Sequence, residues 1–212
     1  MKAVWLVAPG VILGLAALVW AGRPAPSTCR APLEFSGQTA SGREWQADWA
    51  NLERITVTLG DTPATKLTLP VPGRLQQYPK TYGRRTWGAI HYGQDFVVPV
   101  GTTVRAATDG VLWRVGFQPV SGLALYIVGA GGRRYYYAHL SALEDGVRDG
   151  MRVRAGTLLG YSGSTGMAHG VPHLHFGVYS GSRQTCSFQS LDPYPLFAAN
   201  SASDAELPQG QR

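Results

Sequence analysis

Leu123-Ala-Leu-Tyr-Ile-Val128 and Arg134-Tyr-Tyr-Tyr-Ala138 decide how this chain is read. Both are short runs rich in aliphatic, β-branched and aromatic residues, and glycines lie between them. Such residues fit a pleated, half-buried surface, so each run predicts a strand. Further runs of the same kind lie at Phe96–Val100, Gly110–Val115, Val153–Gly160 and His173–Tyr179, separated by turns containing Gly or Pro. That spacing predicts an all-β, antiparallel domain, as a sheet or a sandwich. Beyond the amino terminus no stretch keeps a helical period, and Ser141–Asp145 is expected to turn.

The ends of the chain read differently. Ala3 to Gly22 is an apolar run closed by Arg23, and a helix of about 20 such residues is long enough to span a bilayer. Two readings stay open for residues 1–22. One is a secretory signal cut near Gly22; the other, favoured by Trp5 and Trp20 at the borders, is a helix retained as a cytoplasmic-membrane anchor. Either sends the remainder out of the cytoplasm. Residues 23–37 are Pro-rich and read as a linker, 38–68 as a small β-rich extension, 69–197 as the main domain, and 198–212 as a disordered tail. Cys29 and Cys186 are placed in a compartment where a bridge between them would persist. Composition is globular, with 44% hydrophobic and 15% charged residues, 27 Gly and 14 Pro. The net charge of +6 suits acidic polymers or anionic lipid. Arg133-Arg134 beside three tyrosines is ordinary for a β-protein, and no nucleic-acid-binding motif accompanies it.

The chemistry concentrates in the histidines. All five lie between His91 and His175, and four fall in short patterns: His91-Tyr-Gly-Gln-Asp95, Tyr137-Ala-His139 and His173-Leu-His175. Imidazole nitrogens with one carboxylate oxygen are what a catalytic zinc prefers, three from protein and a fourth position for water. On a strand, His173 and His175 share a face about 6.5–7 Å apart, with Leu174 opposite. Gly93 and the following Phe-Val-Val-Pro argue against a helix at His91–Asp95, so a loop entering a strand is expected there. His139 approaches from a neighbouring strand or loop. Taken singly, each of these residues has a bland reading as a surface or hydrogen-bonded group; taken together they suggest a metal-dependent hydrolase.

His91-x-x-x-Asp95, Ala138-His139-Leu140-Ser141 and His173-x-His175 resemble the lysostaphin/LytM-type zinc metallo-endopeptidases, which cut peptide bridges of peptidoglycan. Asp95-Phe-Val-Val-Pro-Val-Gly-Thr-Thr-Val104, Ala106-Ala-x-Asp109-Gly-Val111 and Gly160-x-x-Gly163-x-Thr-Gly166 are similar to that family's framework, and the likeness runs from Leu69 to Tyr179. It implies one Zn2+ held by His91, Asp95 and His175, with His139 and His173 as an unligated catalytic pair acting on peptidoglycan peptide stems. It implies too that zinc polarises the scissile carbonyl and brings water's pKa towards about 7. With no Glu next to the ligands, one free histidine is the base. His173 is assigned to the water and His139 to the developing oxyanion, roles that are open to exchange.

The loop Met167-Ala-His169-Gly-Val171 and Gly177 depart from the family pattern without removing a ligand. Tyr92, Tyr135, Tyr137, Tyr161 and Trp87 either line a groove or pack, and packing is the commoner fate. A non-catalytic wall-binding or regulatory module is the second reading, countered by the intact ligand set. Asp149–Gly160 resembles the hairpins of lipoyl- and biotin-carrier domains, but no lysine follows Lys80 to serve as acceptor. The extension 38–68 either supports the domain or covers the groove.

Overall fold

A computed structural model describes residues 59–60, 62–86, 89–168, 170–180 and 189–201. The apolar run, the linker, Cys29, Cys186, Trp87, His169, most of the extension and the tail past residue 201 lie outside the described residues. Among the described residues no helix is long and apolar enough to cross a membrane.

Eleven strands are described: β1 Arg85–Thr86, β2 Ala89–Ile90, β3 Gln94–Phe96, β4 Thr103–Arg105, β5 Gly110–Gln118, β6 Gly122–Val128, β7 Arg134–Leu143, β8 Arg152–Val153, β9 Leu158–Ser162, β10 Leu174–Ser180 and β11 Gln189–Leu191. β1 and β2 form a small hairpin. The other nine make one antiparallel sheet in the order β11-β10-β7-β6-β5-β8, with β3 on β10, and β9 joining the far half of β7 to β4. Among the described residues one α-helix, α1, spans Tyr194–Ser201.

The period of two sorts the strands into two faces. Tyr135 and Tyr137 of β7, Leu125 and Ile127 of β6, and Leu174, Phe176 and Val178 of β10 enter one apolar core with Phe96, Leu112 and Leu159. Tyr136 and Ala138, with Tyr126 and Trp113 from β6 and β5, lie on the opposite face. The core is aromatic at its centre, where the Phe197 ring of α1 stands 5.6 Å from Phe96 and 5.3 Å from Phe176. The backbone of the preceding segment is stitched to the same side, Leu67 N–H donating to Leu196 C=O at 2.9 Å and Thr68 N–H to Ala107 C=O at 2.9 Å.

The antiparallel all-β expectation holds, with local corrections. The run expected at Phe96–Val100 pairs two residues earlier and stops at Phe96, leaving Val97 62% exposed. Pro99, which has no N–H to give a ladder, keeps the pairing from resuming over the rest of the run. Val153–Gly160 is two strands; Thr157 N–H donates to Arg154 C=O at 3.0 Å and closes a turn between them. The turn expected at Ser141–Asp145 is displaced, because β7 runs on to Leu143 and the chain turns at Asp145–Gly146. Helix α1 was not foreseen, and it carries the chain four residues past the boundary at 197. Asp192 caps it, its Oδ1 accepting from Tyr194 N–H at 2.9 Å, with Pro193 next. An acidic cap followed by proline at a helix start was the available signal.

The β5–β6 hairpin end rests on the segment after β9. Gly122 has a φ of +66°, and a Cβ there would run into Thr165 Oγ1 and the Thr165 and Gly166 backbone. Left-handed backbone and backbone contact together exclude a side chain. Gly122→Ala is expected to cost about 2 kcal/mol or more, from left-handed strain and overpacking. That corresponds to a Tm lower by roughly 4–8 °C in calorimetry; an unchanged Tm would show that the two segments part easily.

Candidate metal and catalytic site

The site is assembled on β10. His175 faces Asp95 of β3 across one ladder and Ala138 of β7 across the other. Because Leu174 and Phe176 point into the core, His175 points to the opposite face, where the Tyr136 ring lies 6.0 Å away. Asp95 is its direct cross-strand partner, so their side chains meet. His91 precedes β3 in a loop, as expected, and reaches the same point.

Three atoms converge. His175 Nδ1 is 2.9 Å from Asp95 Oδ1, His91 Nε2 is 3.1 Å from the same oxygen, and His91 Nε2 is 3.0 Å from His175 Nδ1. Among the described residues this is the group of His, Cys, Asp or Glu side chains that could hold a metal ion. With zinc–nitrogen and zinc–oxygen bonds of about 2.0–2.2 Å, tetrahedral ligand atoms stand about 3.4 Å apart. A small outward adjustment therefore accommodates the ion, and the donor set fits zinc in number and kind. Two features behind the ligands favour that fit. His91 Nδ1 lies 3.0 Å from Thr81 C=O, and since a carbonyl only accepts, Nδ1 carries the proton and Nε2 is free to ligate. Gly93 has no Cβ where one would run into the His175 ring.

Charge is balanced locally. Burial alone would raise the Asp95 carboxyl, but its bonds with His175 and His91 outweigh this and hold it well below the usual carboxylate range. Burial alone would lower His91, but Asp95 and the Thr81 carbonyl outweigh it and raise its proton affinity. His175 is lowered by burial, which outweighs its bond with Asp95. Thr81 also accepts the Asp95 N–H on Oγ1 at 2.7 Å, so one residue braces two of the three candidate ligands. No pattern in the sequence marked Thr81.

His139 and His173 stand beside this group, their ring centroids 4.8 Å apart. His173 forms a bridge with Gly163 just ahead of β10, and its Nε2 lies 3.8 Å from Asp95 Oδ1. His139 reaches the same face through a bulge. β6 takes two steps from Leu125 to Leu123 while β7 takes three from Tyr137 to Leu140, so an extra residue sits at Ala138-His139. Strict alternation would send His139 into the core after Tyr137. The bulge re-aims it, at a φ of +64°, and its ring centroid comes to 6.1 Å from that of His175. Each free histidine donates Nδ1–H to a backbone carbonyl, His139 to Thr165 at 2.8 Å and His173 to Val171 at 2.7 Å. In the tautomer these bonds select, each ring presents Nε2 as an acceptor. Burial lowers His139 to about 4.

The aromatic residues divide. Tyr135 and Tyr137 are fully buried, and Tyr137 OH accepts from Ala107 N–H at 2.8 Å, so they pack the core and do not line a groove. Tyr161 OH donates to Glu144 at 2.8 Å. Tyr92 is half-buried, its carbonyl 3.4 Å from Tyr179 OH. Tyr136, missed in the sequence, is the tyrosine beside His175.

Comparison with known proteins accords with this geometry. Residues 89–187 match Peptidase family M23. The glycyl-glycine endopeptidase ALE-1 of Staphylococcus capitis is 37% identical over 147 residues, covering 62% of this chain and 38% of that protein. The L-Ala–D-Glu endopeptidase of Bacillus subtilis is 31% identical over 130 residues, covering 55% of this chain and 39% of its own length. This chain thus spans well under two thirds of these relatives. The structure of the antimicrobial peptidase lysostaphin from Staphylococcus simulans superposes with a TM-score of 0.51 at 31% identity, covering 68% of this chain and 60% of that one. The chain thus carries a domain of peptidase family M23 over residues 89–187.

Proposed function

We propose that this protein is a zinc-dependent endopeptidase hydrolysing peptide cross-links of bacterial peptidoglycan, outside the cytoplasm. The observation that carries the reading is the convergence of His91, Asp95 and His175 within 3.1 Å, beside two histidines whose Nδ1–H groups are already committed to carbonyls. An M23 domain with named wall-peptide endopeptidases among its relatives supports the substrate class. The apolar run 3–22 is proposed to deliver the chain to the wall, as signal or anchor, and a Cys29–Cys186 bridge suits that compartment.

His91, Asp95 and His175 would hold the zinc, which when bound supplies polarisation of the peptide carbonyl and acidification of water. The free histidines then handle protons. Two Nε2 acceptors on rings 4.8 Å apart can take both hydrogens of one water and leave its lone pair directed at the substrate. His173, with Nε2 close to Asp95, is assigned the proton released on attack; its Nε2–H then faces the departing amine. His139 in its neutral form has no proton on Nε2, so the oxyanion role expected for it does not suit that form. Its place is as the second acceptor of the water.

A regulatory module of the same fold is the alternative, and the complete residue set counts against it. Purified sacculi incubated with the zinc-loaded fragment from Arg23 are expected to lose cross-linked muropeptide dimers and gain one new amine by mass spectrometry, unlike a His175→Ala control. Intact dimers in both would favour the regulatory reading.

Ligands and proton carriers should separate in mutagenesis. His91→Ala and Asp95→Asn are expected to lose stoichiometric zinc, measured by atomic emission. His139→Ala and His173→Ala are expected to keep it while kcat falls about 10²–10⁴-fold. Zinc loss from the second pair would move those residues into the ligand set.

Acid stability gives a third check. Burial holds His139 unprotonated down to about 4 against 6.5 for the ordinary ring, so within that window the unfolded chain binds the extra proton. The stability this ring contributes is present above 6.5 and is lost as pH falls towards 4. In metal-free protein the slope of Tm against pH over that window is expected to flatten on His139→Gln; an identical slope would place the acid sensitivity elsewhere.

A further inference from the structure

A bulge strands ladder groups as well as turning a side chain. At Ala138-His139 the β6–β7 ladder is interrupted, and one residue from outside both strands fills the gap. Thr165 Oγ1 accepts the Leu123 N–H at 3.0 Å and donates to the Leu140 carbonyl at 2.7 Å, joining β6 to β7 across the irregularity. Its own carbonyl accepts the His139 Nδ1–H at 2.8 Å. The hydroxyl thus fixes the backbone from which His139 projects, and the carbonyl fixes the ring.

His139 needs such a hold. Its φ of +64° lies in the left-handed region, which a β-carbon disfavours and which persists only where the surroundings over-determine it. His139 N–H donates to Ser121 C=O at 2.9 Å, and Gly163 closes against this stretch, where a Cβ would lie 2.8 Å from the His139 carbonyl oxygen. Both contacts restrain the backbone. Neither reaches the ring, and neither fills the interrupted ladder.

We infer that Thr165 is a positioning residue for the catalytic step, its hydroxyl bridging the β6–β7 bulge and its carbonyl holding His139 with Nε2 as the proton acceptor. This rests on the endopeptidase reading for its kinetic consequence, while the hydrogen-bonded ring state is a property of the folded protein alone. Thr165→Val keeps the shape and the carbonyl but removes both hydroxyl bonds, leaving Leu123 N–H without its partner. Thr165→Ser restores the hydroxyl.

The test measures zinc-loaded wild type and both variants by steady-state kinetics on a cross-linked muropeptide and by proton–nitrogen NMR of the histidine rings. In Thr165→Val, kcat is expected to fall about 10–100-fold with KM within about twofold, as for a misaimed group. Zinc stoichiometry should stay at one, and the exchange-protected His139 Nδ1–H resonance should shift or disappear. Thr165→Ser should recover both readouts. Full kcat or an unmoved His139 resonance in Thr165→Val overturns the inference, as does equal loss in Thr165→Ser. An inactive wild type overturns the endopeptidase reading and leaves the resonance to decide the hydrogen-bonded hold by itself.

Discussion

The register of β10 is the constraint on which the site depends. His175 is paired with Asp95 on one side and with Ala138 on the other, so a single strand position sets two neighbours at once. A slip by one residue would send Leu174 and Phe176 towards solvent and His175 into an aromatic core. The burial of Leu174, Phe176 and Val178 therefore pins the geometry of the candidate metal group. Hydrophobic packing on one face positions the polar chemistry on the other.

β7 meets a second demand, because regular alternation and the proposed role of His139 ask opposite things of it. Tyr135 and Tyr137 must face the core, and His139, in phase with them, must not. One inserted residue resolves the conflict without moving the tyrosines. The segment after β9 gives this solution its stability, supplying the Thr165 carbonyl to His139; the loop that follows supplies the Val171 carbonyl to His173. Regular strands place Asp95 and His175, while carbonyls from an irregular segment orient His139 and His173.

Legibility in the sequence follows the same division. Runs of aliphatic, β-branched and aromatic residues between Gly- or Pro-containing turns made β5, β6, β7 and β10 readable, and the loop entering β3 at His91 was foreseen from Gly93 and Pro99. All four patterned histidines and Asp95 come together as their spacing implied. The bulge was not readable, since it is a mismatch between two strands and leaves no mark on either alone. Thr81 escaped notice because it works through a carbonyl and a hydroxyl that every threonine carries. Thr165 fell within a framework motif, but its hydrogen bonds needed the third dimension. Helix α1 is only eight residues long and carries Pro195 in its first turn, so its capping aspartate was its only strong sequence signal.

The bond from Leu67 to Leu196 has a consequence for architecture. It ties the segment at Leu67 to α1, whose Phe197 packs between Phe96 and Phe176. That seam belongs to the core side of the sheet, and the histidines occupy the other. Phe96 and Phe176 each adjoin a residue of the candidate metal group, Asp95 and His175, so a disturbance at α1 is transmitted through the core to both of those positions together.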